Sequence, residues 1–229
     1  MAAVTGGVGD AQTEWKRAAA RAAVADVPEN VIIGLGSGST AELMLEELAA
    51  RVRTGLRVTA VPTSERIRSL ASGLGIPLLA LDSAPALHLS IDGADEVVLP
   101  ALQLVKGHGG ALLREKLVAA SSHTRIIIVD QTKLVDTLGA RHPLPVEVIP
   151  FGWVHTAQTP AQTAEPQPYL TDSGNYILDC ATGPITDPYG LAQAIKAQVG
   201  VVEHGLFVGM TEKLYVGGPD GVRTFTAGG

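Results

Sequence analysis

Short apolar runs, each closed by glycine, serine or aspartate, set the rhythm of this chain. Val31, Ile32 and Ile33 form one such run and enter GLGSGST at 34–40, and RIIIVD at 125–130 repeats the device. A strand apolar on both faces is one that other layers cover on both sides. Leu87, Leu89 and Ile91 alternate with more polar neighbours and give way to Asp-Gly, which reads as a strand ending in a turn. Runs at 57–61 and 78–81 predict two further strands. Between them lie helical stretches: an alanine-rich one at 15–27 closed by Pro28 and Asn30, then 41–52, 64–73 and one starting near Ala111. In the last, Leu112, Leu113, Leu117 and Ala120 share a face and leave Glu115 off it, free to face a cleft.

Strand and helix alternating, with right-handed crossovers, predict an α/β protein on a doubly wound, mostly parallel, Rossmann-like sheet. The texture changes at Pro143. PLPVEVIP is bounded by prolines, 151–168 is polar and weakly patterned, and 169–179 reads as a hairpin turning at Asp172, Ser173 and Gly174. A helix at 189–199 and a strand at 201–208 follow. The expected division is 1–142 for the main Rossmann-like unit, with 1–10 disordered, and 143–208 for a smaller α+β subdomain. Residues 209–229 supply two strands that turn at Gly217 to Gly221 and return to the main sheet or flank it.

Composition narrows the partners. A chain of 229 residues can bury a sizeable core, and 46% hydrophobic with only 4% aromatic residues favours close-packed α/β layers. A net charge of −6 argues against a general nucleic-acid surface, which needs gathered Lys and Arg, while a small anion held by a few local cations stays open. The single cysteine, Cys180, forms no internal disulfide, fits a reducing compartment, and is expected to be a buried inert thiol in the apolar run YILDC. The N-terminus lacks the basic and apolar regions of a signal peptide, and no apolar run approaches the roughly 20 residues that cross a bilayer. A cytoplasmic protein with no membrane partner is expected. The six histidines fall into no short metal-ligand spacing, so no metal site is expected.

Two stretches carry chemistry. In GLGSGST a glycine loop joins a strand to a helix, where exposed backbone N–H groups and the helix dipole meet an anion. Ser37, Ser39 and Thr40 add hydroxyls. No lysine precedes Ser39 or Thr40 as a Walker loop requires, and no third glycine and acidic strand end follow as a dinucleotide fingerprint requires, so a monophosphate site competes only with a packing turn. The second stretch, 90–116, concentrates Asp92, Asp95, Lys106, the glycines 107, 109 and 110, and Glu115. The aspartates fall at a strand's carboxyl end, the rim where open α/β sheets bind ligands. Taken singly, Asp-Gly is a turn and Arg-Glu-Lys a solvated helix face; gathered in one segment they point to a site. Lys133, after RIIIVD, lies at the same rim, although lysines near strand ends are common.

GLGSGST, SIDGADEV, VKGHGGALLREK, the lysine of VDQTKLVDTLG, PLPVEVIP, TDSGNYILD and GGPDGVRT, in this order from about Trp15 to the C-terminus, closely resemble the A-type ribose-5-phosphate isomerases. The resemblance implies interconversion of ribose 5-phosphate and ribulose 5-phosphate in the non-oxidative pentose phosphate pathway, without metal or organic cofactor, by a homodimer or homotetramer. By position it implies a phosphate-side loop of Ser37, Gly38, Ser39 and Thr40, and the DGAD motif of Asp92, Gly93, Ala94 and Asp95. It likewise implies a Lys-Gly loop of Lys106, Gly107, His108 and Gly109, a general base at Glu115 and a distal substrate lysine at Lys133. Where the family pattern is KGGGAALTREK, this chain has His108 for a glycine and Leu113 for a threonine, Ser37 stands where threonine is frequent, and the stretch from 150 to 169 is short.

An aldose–ketose isomerase moves a proton between C1 and C2 through an enediol. It needs a base at carbon, an acid near the oxygens, and a cation where negative charge develops. Glu115 suits the base, Lys106 the enediolate, and Asp92 with Asp95 the hydroxyl protons and ring opening, while His108 either enters the cleft or, the favoured expectation, lies outward. The alternatives are an amino-sugar phosphate deaminase on a related fold and a sugar-phosphate-sensing regulator. A regulator would lack a placed base and carry a DNA-binding helix-turn-helix, for which the residues before Val31 leave too little room.

Overall fold

The computed structural model describes residues 8–157 and 168–228. Its first half runs α1 (Val8–Ala25), β1 (Val31–Leu35), α2 (Ser39–Arg53), β2 (Val58–Pro62), α3 (Glu65–Gly73), β3 (Leu87–Asp92), β4 (Glu96–Val98), β5 (Gln103–Val105), α4 (Leu112–Ala120), β6 (Ser122–Asp130) and β7 (Leu134–Val135). Then come β8 (Leu144–Val148), α5 (Trp153–Ala157), β9 (Tyr169–Leu170), β10 (Tyr176–Cys180), α6 (Pro188–Lys196), β11 (Val201–His204), β12 (Leu206–Phe207), β13 (Lys213–Gly218) and β14 (Gly221–Thr226).

The main sheet has the order β14-β13-β6-β3-β1-β2, parallel throughout except for the antiparallel edge strand β14. This is the mostly parallel α/β sheet the alternating pattern predicts, and the last two strands do return to it. The run IIIV shows why it reads as apolar on both faces. Ile126 and Ile128 pack with Ala19, Ala20 and Ala23 of α1 and with the buried side chains of α2 on one side. Ile127 and Val129, pointing the other way with the two-residue period of a strand, pack with Val97, Leu104 and Phe207. Those three belong to a second, four-stranded sheet, β12-β5-β4-β7. Farther along the same face, Val118 of α4 packs on Val61 and Leu87. A third sheet, β11-β8-β10-β9, is antiparallel, and its Val146, Val148 and Leu178 meet Leu191 and Ile195 of α6.

Several expectations are corrected. Val8, Gly9 and Asp10 are helical rather than disordered, while 1–7 lie outside the described residues. The run at 78–81 makes only a single bridge, Ala60 to Leu78, and then turns through a 3₁₀ helix at Leu81–Ser83; Pro77 has no N–H to extend a ladder. The strand expected at 201–208 is two strands in different sheets, divided at Gly205. A Cβ there would overlap the Lys106 carbonyl and Pro145, and Lys106 N–H donates to the Gly205 carbonyl at 2.8 Å. Within the polar stretch 151–168 the chain forms the short helix α5, and 158–167 lie outside the described residues. Cys180 is half-buried instead of buried.

From β1 the chain moves to β2 on one side and later to β3 on the other, so the carboxyl ends of β1 and β3 open a crevice where the strand order reverses. No described helix is long and apolar enough to cross a membrane.

The contact between α1 and β13 depends on Gly217, where any Cβ would meet the Trp15 carbonyl. Overpacking at a rigid backbone contact costs about 1–3 kcal/mol. Gly217→Ala is therefore expected to lower stability by about that amount in urea or thermal unfolding, and an unchanged midpoint would show that α1 can retreat at no cost.

Candidate active site

Glycines shape the crevice before any polar group enters it. At Gly34 a Cβ would collide with Val118 of α4, and at Gly36 it would collide with Asp92. Their absence lets α4 lie on the sheet and lets the carboxyl ends of β1 and β3 meet. Across that meeting point Ser37 N–H donates to Asp92 Oδ1 at 3.2 Å, and Gly93 N–H donates to the same oxygen at 2.7 Å. Gly38, with φ of 99°, starts α2 without a side-chain cap, and the first intrahelical bond runs from Glu42 N–H to the Gly38 carbonyl. The N–H groups of Ser39, Thr40 and Ala41 precede that bond and have no partner within the helix, so with the helix dipole they favour an anion.

A cleft is lined by Ser37, Gly38, Ser39, Thr40, Gly93, Ala94, Asp95, Lys106, Gly107, Gly109, Glu115 and Lys133. These are the residues singled out from the sequence, with two differences. Asp92 is not in the lining; it sits beneath it, against Lys106. The His108 side chain is not there either, although the backbone of its loop is. Its ring turns away from the cleft to the exposed side of the loop, where Nδ1 contacts Asp95 and Nε2 donates to the Pro143 carbonyl at 3.0 Å. The outward orientation favoured for His108 is the observed one, with both ring nitrogens partnered there. Ser37 also differs in detail, because its hydroxyl bonds Thr63 at 2.8 Å and Ser64 at 2.9 Å, which leaves its backbone to face the cleft.

The centre of the site is an ammonium between carboxylates. Lys106 Nζ lies 2.9 Å from Asp92 Oδ2 and 3.2 Å from Glu115 Oε2, and donates to the Gly93 carbonyl at 2.7 Å. Lys106 and Glu115 are 3% and 5% exposed, so water screens little of this charge. The helical face expected for α4 is corrected here: Leu112, Glu115 and Val118 are its buried positions, whereas Leu117 is 49% exposed. Glu115 is on the inward stripe itself, held there by the ammonium. Its Oε2 is in ion-pair contact but makes no hydrogen bond, which leaves that oxygen without a directional partner.

Burial raises the proton affinity of Glu115 well above the ordinary carboxylate range, and the neighbouring Asp92 charge adds to the effect. Asp92 is raised by burial as well, against the pull of Lys106. Burial opposes the charge on Lys106, but Asp92 and Glu115 outweigh it and raise the lysine above its usual value. The pair of carboxylates therefore retains a proton more tightly than either would in water, while the lysine stays charged. Farther out, burial is outweighed at Asp95, whose contact with His108 holds the carboxyl down at about 2.

Supporting residues escaped the sequence reading because their partners are distant. Lys16 of α1 donates to Ser39 Oγ at 3.1 Å and brings a cation to the start of α2. Glu96, fully buried, accepts from the N–H groups of Gly139, Arg141 and His142 at 2.6, 2.8 and 3.1 Å. Arg141 in turn donates to the carbonyls of Thr132 and Leu134, on either side of Lys133. The adjacency of Glu96 to DGAD was the one available signal for this bracket.

A crevice at a strand-order switch, a helix start ready for an anion and a buried carboxylate with raised proton affinity beside a charged lysine define an enzyme that moves protons on a small anionic substrate. The family model described as ribose 5-phosphate isomerase A (phosphoriboisomerase A) matches residues 59–221. Ribose-5-phosphate isomerase A of Synechococcus sp. (strain JA-3-3Ab) is 51% identical over 221 residues, which cover 92% of this chain and 96% of that protein. The structure of ribose 5-phosphate isomerase A from Methanocaldococcus jannaschii is similar at a TM-score of 0.87 and 37% identity, covering 93% of this chain and 98% of that one. A D-ribose-5-phosphate isomerase in complex with phospho-erythronic acid matches at a TM-score of 0.88 and 34% identity, covering 93% and 98%. This chain belongs to the ribose 5-phosphate isomerase A family.

The raised proton affinity of Glu115 makes a sign-specific prediction. A base works only when deprotonated, so the acid limb of kcat/KM should fall well above the value of about 4.3 ordinary for Glu. A pH–rate profile with its acid limb at the ordinary carboxylate value would show that the working base is not this buried group.

Proposed function

We propose that this chain interconverts D-ribose 5-phosphate and D-ribulose 5-phosphate through an enediol, with Glu115 carrying the proton between C2 and C1. The observation that carries the assignment of roles is the contact of Lys106 with both Asp92 and Glu115 at the edge of the cleft. Glu115 abstracts the proton from one carbon and returns it to the other. Lys106 stays charged and faces the enediolate oxygen, where negative charge grows in the transition state. Asp92, from beneath, keeps Lys106 charged and in place, and the Asp95 carboxylate in the lining takes the proton from one of the two sugar oxygens and delivers it to the other as the enediol forms and collapses. The N–H groups and hydroxyls of 38–40, with Lys16 and Lys133, hold the phosphate.

The binding of phospho-erythronic acid by a relative supports a phosphorylated sugar in this cleft. Every proton position in the scheme is met by a side chain of this chain, and we assign no cofactor. We further assign the enzyme to the cytoplasm and to a homodimer or homotetramer in the non-oxidative pentose phosphate pathway. The direct test is formation of ribulose 5-phosphate from ribose 5-phosphate by the purified chain, with and without EDTA. Absence of product would overturn the function, and loss of activity in EDTA would overturn the metal-free scheme.

Glu115→Gln should keep the fold and substrate affinity but lower turnover by roughly 10²- to 10⁴-fold, the scale of a lost general base. Lys106→Ala should act mainly on kcat, because its partner is a charge that exists only in the transition state, and Thr40→Ala mainly on KM. Steady-state kinetics that showed only KM effects for both would make Lys106 a binding residue.

A further inference from the structure

His108 stands where the family pattern has glycine, and its ring is fastened at both nitrogens. Nε2 faces the Pro143 carbonyl at 3.0 Å, an oxygen that can only accept, so Nε2 carries a hydrogen. Nδ1 faces Asp95 Oδ2 at 2.9 Å. The same Oδ2 also accepts from the His108 backbone N–H at 3.3 Å, so it behaves as the acceptor in both contacts. With a carboxyl near 3.9 and an imidazole near 6.5 in water, the shared proton belongs on the ring. Both nitrogens then donate, and His108 is an imidazolium.

The surroundings support that charge. Asp95 is the principal anion against the ring and Asp179 of β10 is a further one; together with the Pro143 carbonyl they outweigh burial and raise the histidine above its ordinary value. His142 is the other titrating neighbour, its ring 5.0 Å away and tilted. Lys106 also acts on Asp95, but Asp92 and Glu115 already engage it closely. Three carboxylates thus crowd one buried ammonium, and His108 brings the second cation.

Both contacts made by Asp95 fall on Oδ2, and Asp95 lines the cleft. We propose that His108 is a positioning residue whose imidazolium fixes Asp95 as a carboxylate with Oδ1 presented to the cleft, so that Asp95 serves as a hydrogen-bond acceptor for a substrate hydroxyl. The inference rests on the isomerase reading for its substrate, but the ion pair itself does not. It divides the acidic groups of the site: Asp92 and Glu115 hold the exchangeable proton, and Asp95 holds none at neutral pH.

Two measurements on the full chain test it. In the first, the His108 ring is followed by NMR across pH, its signal assigned by comparison with His108→Gln. Its midpoint should lie above about 6.5, the ordinary histidine value, and should fall in Asp95→Asn. A midpoint at or below the ordinary value, or one unmoved by Asp95→Asn, would overturn the ion pair. In the second, the KM for ribose 5-phosphate of the wild type should rise as pH passes upward through that same midpoint, because the ring lets go of Oδ2 when it loses its proton. In His108→Gln, KM should already be about threefold to tenfold higher, the scale of one ordinary hydrogen bond, and independent of pH over that range. A merely structural role would lower kcat alike at every pH and leave the pH dependence of KM unchanged, which would overturn the positioning role. A chain with no isomerase activity would sink the functional reading, while the NMR titration would still decide the ion pair.

Discussion

A lysine ammonium that is almost completely enclosed dictates how the rest of this site is built. Taking such a charge out of water costs several kcal/mol unless opposite charge and good acceptors surround it. Lys106 meets that requirement with Asp92, Glu115 and the Gly93 carbonyl. Each partner comes from a different element: Asp92 from the end of β3, Gly93 from the turn after it, Glu115 from α4. The ammonium therefore ties the sheet, the glycine loop and α4 together at one atom. The same enclosure raises the proton affinity of Asp92 and Glu115, against the pull of the lysine.

The backbone of Lys106 is fastened as firmly as its side chain. Its N–H donates to Gly205, and Gly205 is where the chain passes from the third sheet into the second. Lys116, one residue beyond Glu115, reaches the same segment through Glu203 at 2.8 Å and the His204 carbonyl at 2.6 Å. The ring of Phe207 lies near both ammonium groups, 5.4 Å from Lys106 Nζ and 4.8 Å from Lys116 Nζ. The stretch 203–207 thus bears on both the loop that carries Lys106 and the helix that carries Glu115, so the later part of the chain takes part in setting the geometry of the earlier part.

The anion end of the cleft is built by a different logic. There the backbone N–H groups at the start of α2 face the cleft beside Lys133, and Lys16 of α1 reaches the same helix start through Ser39. The proton-transfer end is enclosed, where low dielectric makes each charge count for more.

Much was legible in the sequence because it is local. The apolar runs mark strands buried on both faces, glycine after a strand marks the rim, and the charged groups of 90–116 are close enough in the chain to be recognised as one site. What the sequence left open were matters of direction. The helical period put Glu115 off the apolar face of α4, because a periodicity counts a carboxylate as polar and cannot know that an ammonium awaits it inside. The run at 201–208 looked like one strand, because nothing local shows that Gly205 must pass the Lys106 backbone. For His108 the sequence offered cleft or solvent. Its ring took the outward course, and what the sequence did not show was the partner it meets there, Pro143, a residue 35 positions away. Lys16 and Glu96 were unremarkable in sequence for the same reason, since their partners lie 23 or more residues distant. Elements and candidate chemistry follow from short-range pattern and side-chain type. Which face a charged group turns to, and which partner sets its proton affinity, is decided only when the sheet brings distant segments to one rim.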